Sequence, residues 1–412
     1  LASTPLDREK PLWEMYLVDG PGVGSAVIVR MHHCIADGIA LAEVMLSLTD
    51  AAPGGRREEA SGEGDDERDG RDGERDQENG GVCAHAGAHA RAYTRARTPR
   101  RNAIQTLALA PLTATRRTVA ALTAPPASAL AATGRATRAL TREGLRTAAH
   151  PAHALELADS LAADTRSLAK LLFTPSEQRG ALKGGLGVAR TVAWSKPLDL
   201  ARIKAIAHAQ GATVNDVLLA CVSGALRDYL SGRGEQPHGV QTMIPVNLRP
   251  LDEPVSPELG NRFGLVFLTL PVDRAGRRER LEELRRRMQA IKRSPEAPVS
   301  YAVLEAAGLT PPNVESLIVD VFTAKAAAVM TNVPGPRRTV YLAGSPLRSV
   351  LVWAPTAGSV GMSVSIFSYA GEVTIGLMVH THLVPDPQRI LNRLPRELSL
   401  IGRLSPAQGA AN

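Results

Sequence analysis

Between Ala51 and about Gly81 the chain carries almost no apolar residue, and that gap decides where a core can form. From Arg56 to Glu78 sixteen of 23 residues are charged, eleven acidic and five basic, for a net of −6. A segment so poor in apolar side chains cannot bury enough surface to offset the entropy of ordering it. It reads as a disordered charged insert over 51–99, tolerated because lengthening a surface loop costs closure entropy only logarithmically. The core must come from the flanks. At 412 residues the chain is too long for one compact core and implies two domains or a bilobal unit.

The net charge of +7 is unevenly placed. From Ala84 to His150 there are eleven arginines against one acid, Glu143, a net of +10, which leaves about +3 for the rest of the chain. Nucleic-acid binding calls for basic residues interleaved with aromatics, and Tyr93 is the one aromatic in that segment. Two readings stay open: solvated faces of Arg/Ala-rich helices, or attraction to anionic lipid. No apolar run is long enough to span a bilayer. LASTPLDREK lacks a basic stretch followed by an apolar one and does not read as a secretory signal. Cys34, Cys83 and Cys221 are scattered without paired or metal-knuckle spacing, which fits a reducing cytoplasm and no disulfide framework.

The elements follow from hydrophobic periodicity. WEMYLVDG reads as strand then turn, GPGVG as a hairpin turn, SAVIVRMHH as a second strand, and IALAEVMLSL as a helix. Residues 100–172 are helical in character, broken near Pro125-Pro126 and Pro151. Near Gly184 a new unit begins with the strand VARTVAWSKP. An amphipathic helix follows, ended by Gly211. Thr213 stands three residues before Asp216, a capping-box spacing for the next helix. VQTMIPVNLRP and NRFGLVFLTLPV are strands, LEELRRRMQAIKR is a helix, and a further helix spans about 313–325. Strands then run through SVSIFSYAGEVTIGLMVHTH. The whole is mixed α/β with a substantial sheet.

One junction carries chemistry. In MHHCIADGIA, adjacent histidines on an extended backbone point to opposite faces, so at most one of His32 and His33 can look into a given cavity. Zinc is the weaker reading, for want of further clustered ligands. A neutral imidazole is the usual base for deprotonating a hydroxyl or thiol as it attacks a carbonyl, and His33 at the end of a strand can serve so. Asp37 either caps the following helix or pairs with an arginine to lock the turn, and Gly38 eases that turn. Two histidines and an N-cap at an ordinary strand–helix junction is the plainer alternative. There is no G-x-S-x-G elbow and no P-loop, and Cys34 reads as a small buried hydrophobe. With His33 catalytic, direct transfer between two bound substrates is the natural mechanism.

HHCIADG (32–38) matches the HHxxxDG signature of the CoA-dependent acyltransferase superfamily. Pro11-Leu12-Trp13, Asn215-Asp216 in TVNDVLLA, and TNVPGPRRTVYLAG followed by SYAG narrow the likeness. PVNLRP and GNRFG add to it. The ordered set resembles the bacterial wax ester synthase/diacylglycerol acyltransferase family over nearly the whole chain outside the insert.

That resemblance implies two chloramphenicol-acetyltransferase-like lobes with mixed sheets and a tunnel between them. Residues 1–50 and 100–183 would form the N-terminal lobe, and 184–405 the C-terminal lobe. It further implies His33 as base, with His32 and Asp37 as its catalytic neighbours in the signature. Gly38, Asn215, Asp216 and Arg249 would support the site, and Pro11, Leu12, Trp13 and Asn332 would contact substrate. Capping explains Asn215 and Asp216 equally, and Trp13 suits a core corner as well as an acyl passage. Arg249 can pair with Asp37 or reach solvent, and Asn332 and Gly335 suit a tight TNVPGP turn.

The expected reaction moves an acyl group from acyl-CoA, a substrate, to diacylglycerol or a long-chain alcohol. No cofactor, metal or nucleic acid enters. The expected setting is cytoplasmic, with peripheral contact at membrane or lipid inclusions. The signature comes at position 32, earlier than the family pattern places it, so the first lobe is expected to be incomplete. Two rivals are a condensation-type acyltransferase with a carrier-protein donor and an inactive lipid- or protein-binding remnant.

Overall fold

The computed structural model describes residues 1–20, 22, 24–53, 167, 170, 171, 174–249 and 261–405. The expected insert beyond residue 53, the basic segment 84–150 and the helices expected over 100–166 lie outside the described residues.

Strands β1 (Trp13–Asp19) and β2 (Ser25–Met31) form an antiparallel hairpin, followed by helix α1 (Gly38–Leu46). The larger unit opens with β3 (Arg190–Trp194) and β4 (Leu198–Asp199), then α2 (Leu200–Ala209) and α3 (Val214–Ser231). Next come β5 (Val240–Asn247), β6 (Phe263–Leu270), α4 (Arg277–Lys292), α5 (Glu296–Ala307) and α6 (Pro312–Ala324). Last are β7 (Ala328–Pro334), the short pair β8 (Tyr341–Leu342) and β9 (Ser345–Pro346), β10 (Met362–Tyr369), β11 (Glu372–His380), α7 (Pro387–Leu391) and α8 (Leu394–Gly402).

Seven of these strands make one mixed sheet in the order β3-β11-β10-β7-β5-β6, with β4 beside β11. The β10–β7 and β7–β5 pairings are parallel and the rest antiparallel. Alternation along the strands assigns the two faces. Met362, Val364 and Ile366 of β10 and Val266 and Leu268 of β6 are buried, and Met362, Val364, Ile366 and Leu268 join one core with α2, α3, α4, α7 and α8. On the opposite face Met243 and Phe267 pack with Val299 of α5 and Phe322 of α6. Val333, Phe367 and Tyr369 pack with Ala42 of α1. Helix α3 lies deepest, and its capping box is complete: Thr213 Oγ1 accepts from Asp216 N–H, while the Asp216 carboxylate accepts from Thr213 N–H. Gly211 before it has φ +56°, the left-handed turn expected of a C′ glycine.

The β5–β7 ladder holds Thr242–Ala328 and Met243–Val329 and goes no further. Ala327 N–H bonds to Gln241 O, so odd-numbered residues of β5 turn their backbone groups toward β7. Pro245 falls on that parity and has no N–H to give. The parallel strands therefore part beyond Met243, at the end of β5 that Asn247 and Arg249 occupy. On the other side of β6, Leu265 N–H donates to Ser300 Oγ and Phe267 N–H to Glu296 Oε1, so α5 covers the sheet's edge.

Four expectations need correction. β2 stops at Met31, because Ile35 N–H turns back to His32 O and converts the pair of histidines into a turn. Helix α5 adds to the expected elements; Pro298 in its first turn and its small residues obscure the stripe that Val299 and Ala302 bury. Asn332 lies within β7 rather than in a turn. Gly335 is needed for close approach, since a Cβ there would fall 2.4 Å from Ser368 O.

Candidate active site

The signature lies between the hairpin and α1, against the end of the β5–β6 pair, where β5 has parted from β7. His32 extends the hairpin by one step, its N–H donating to Leu12 O at 2.9 Å. Its Nδ1 accepts from Cys34 N–H at 3.2 Å, and the ring is exposed. His33 is half-buried in the turn. The two histidines thus differ in environment through turn geometry, not through strand alternation. Cys34 is exposed, contrary to the buried reading.

Asp37 performs both of the roles considered for it. Oδ1 accepts from Ala40 N–H at 3.1 Å and caps α1. Oδ2 lies 3.1 Å from Arg249 Nη2 and accepts from Arg262 N–H at 3.2 Å. The side chain is only 8% exposed, so a carboxylate here must be held by donors of this kind. Arg249 is fixed at its backbone by Asn247, whose Oδ1 accepts from Arg249 N–H and whose Nδ2 donates to Arg249 O. Glu43, further along α1, has its carboxyl raised above the ordinary value by loss of solvent. Arg249 opposes that rise and Asp37 adds to it.

Three neighbouring residues at the start of β6 meet the signature. Asn261 Nδ2 donates to His33 O at 3.1 Å, Arg262 N–H reaches Asp37, and the Phe263 ring stands 6.0 Å from the His33 ring at 82°. The GNRFG stretch pointed to this region, but a single chain does not say which of its residues face the histidine.

Asn215 and Asn332 also meet, Asn332 Nδ2 donating to Asn215 Oδ1 at 3.3 Å. Among the described residues no hydrogen bond, ion pair or ring contact joins either of them to His33. Asp216 turns to Thr213. Gly38 is the first residue of α1, without a positive φ, so the turn places no demand on glycine there; a Cβ would make ordinary contact with Val333 at 3.8 Å. Trp13 is 54% exposed and not in a core corner. With Met15 and Leu17 it lies on one apolar face of the hairpin. Pro11 is exposed, and Leu12 holds His32 through its carbonyl.

Among the described residues no cluster of three or more His, Cys, Asp or Glu is arranged to hold a metal ion. Nor, among the described residues, is any helix long and apolar enough to cross a membrane.

Residues 1–218 match the model of the wax ester synthase/diacylglycerol acyltransferase catalytic domain, and 259–402 match that of the family's C-terminal domain. An O-acyltransferase of Acinetobacter baylyi is 29% identical over 210 residues, 50% of this chain and 45% of that protein. A putative diacylglycerol O-acyltransferase of Mycobacterium bovis is 27% identical across 98% of this chain and 70% of its own length. The solved wax ester synthase/diacylglycerol acyltransferase of Marinobacter aquaeolei VT8 superposes with a TM-score of 0.56 at 20% identity, over 97% of this chain and 73% of that one, and so shares its fold. With two consecutive family domains matched in order, the first spanning more than half of this chain, this chain belongs to the wax ester synthase/diacylglycerol acyltransferase family.

Proposed function

We propose that this chain transfers a long-chain acyl group from acyl-CoA to the hydroxyl of diacylglycerol, giving triacylglycerol, and to long-chain alcohols, giving wax esters. The observation that supports it best is the half-buried His33, on a turn secured by Asp37, Arg262 and Asn261. A ring nitrogen of His33 takes the proton from the acceptor hydroxyl as its oxygen attacks the thioester carbonyl. The carbon–sulfur bond breaks, the ester forms, and the proton passes to the departing CoA thiolate. No acyl-enzyme forms and no cofactor or metal takes part.

Asp37 supports this chemistry at a distance: it caps α1 and pairs with Arg249, fixing the turn that presents His33. The apolar hairpin face of Trp13, Met15 and Leu17 supplies a surface for an acyl chain beside the turn, because Leu12 and His32 are bonded backbone to backbone. Within this reading residues 1–50 belong to one lobe and 184–405 form the other, with the acyl thioester and the acceptor hydroxyl meeting in a tunnel between them. The protein works in the cytoplasm, with peripheral contact at membrane or lipid inclusions.

The test is an acceptor panel. With palmitoyl-CoA as donor, CoA should appear only when an alcohol is present, and diacylglycerol should be a better acceptor than hexadecanol. CoA release at the same rate without acceptor would mean hydrolysis and overturn the assignment.

A further inference from the structure

A histidine that removes a proton must hold its imidazole in one orientation, and the usual holder is a carboxylate or carbonyl accepting from the second ring nitrogen. Among the described residues no hydrogen bond reaches either ring nitrogen of His33. Asp37 is committed elsewhere, with Oδ1 on Ala40 N–H and Oδ2 on Arg249 and Arg262 N–H. What meets the ring is Phe263, 6.0 Å away between centroids and 82° out of plane. Perpendicular aromatic pairs are directional, because the positive edge of one ring meets the negative face of the other.

Phe263 is itself well placed to impose a direction. It opens β6, in register with Asn247 of β5. It belongs to none of the three apolar clusters of the core, although it is a large aromatic at a strand start. Two residues earlier, Asn261 grips the His33 carbonyl, and between them Arg262 N–H grips Asp37. One short stretch therefore holds the histidine by backbone and by ring.

We infer that Phe263 is the positioning residue for His33: its perpendicular packing fixes the imidazole orientation that a carboxylate partner fixes in other histidine bases. This rests on the reading of His33 as general base. Asn261 sets the backbone and Phe263 sets the ring.

The experiment compares wild-type full-length chain with Phe263→Met, which keeps bulk without a ring, with Phe263→Leu as a second ring-less variant, and with Phe263→Tyr. Nitrogen-15 imidazole NMR, with the His33 signal identified by its loss in His33→Ala, reports the ring directly. Phe263→Met and Phe263→Leu should broaden or average the His33 signal. They should lower kcat about three- to tenfold, with KM for donor and acceptor unchanged, and Phe263→Tyr should retain both properties. An unchanged His33 signal in the ring-less variants overturns the proposal, as does a kcat loss that Phe263→Tyr shares. If the signal loosens as expected while His33→Ala keeps full acyl transfer, ring positioning stands and the general-base reading is the one that falls.

Discussion

Arg249 Nη2 lies 3.1 Å from Asp37 Oδ2, and this ion pair, nearly closed off from water, ties the start of α1 to the end of β5. Breaking such a pair from one side removes a buried charge–charge interaction and puts nothing in its place. Asp37→Asn should therefore lower unfolding free energy by about 3 kcal/mol, and Asp37→Ala by about 1 kcal/mol more through the lost cap. Urea unfolding measures both. In the double variant Asp37→Asn/Arg249→Met the loss should fall short of the sum of the singles, since the two changes remove one shared interaction.

Asp216 is bonded to Thr213 in both directions, so its contribution belongs to helix α3. Asp216→Ala and Thr213→Ala should each cost about 1 kcal/mol and leave kcat within a factor of about two. A large kcat loss in Asp216→Ala with stability intact would give this residue a part in the chemistry instead.

Gly224 permits a close crossing of α3 and α8: a Cβ there would stand 2.3 Å from Glu397 Oε2. That carboxylate holds Arg280 at 2.9 Å and Arg277 at 2.7 Å, and Arg280 and Glu397 are buried. Gly224→Ala should overpack the α3–α8 crossing and disturb the ion cluster, costing about 2–4 kcal/mol. An unchanged urea midpoint would show that the crossing can relax.

Lys183 is buried with its ammonium on Thr323 O, Ala326 O and Ser359 O and Oγ, clamping the end of α6. Burial lowers its pKa from 10.5 to about 8, against the pull of Glu177. A lysine whose folded value lies below its unfolded value is protonated more readily in the unfolded chain, so this group's contribution grows as pH rises from about 8 to 10.5. The stability difference between wild type and Lys183→Met should therefore shift in favour of wild type across that window. A flat difference from denaturant titrations at several pH values would contradict the assignment.

Local pattern carried most of the elements. The Thr213–Asp216 box and the left-handed Gly211 mark the start of α3 by chemistry confined to neighbouring residues. β-propensity carries β2 two residues too far, because it does not register the Ile35-to-His32 turn that ends the strand. α5 escapes a local reading because its helix-forming role is shared with an edge-covering one: Glu296 and Ser300 face β6 rather than water. The site divides in the same way. His33 and Asp37 stand in a seven-residue motif, but Asn261 and Phe263 lie more than two hundred residues away in sequence and meet His33 through the fold alone. Pro245 was visible as a residue and not as the reason β5 and β7 part, since that depends on which strand lies beside it.

The most direct measurement is CoA release from palmitoyl-CoA in the presence of diacylglycerol by His33→Ala. The account predicts a fall of about 10² to 10⁴ in turnover, with the melting curve unchanged because His33 is half-buried and outside the apolar clusters. Full turnover in a folded His33→Ala protein would contradict it.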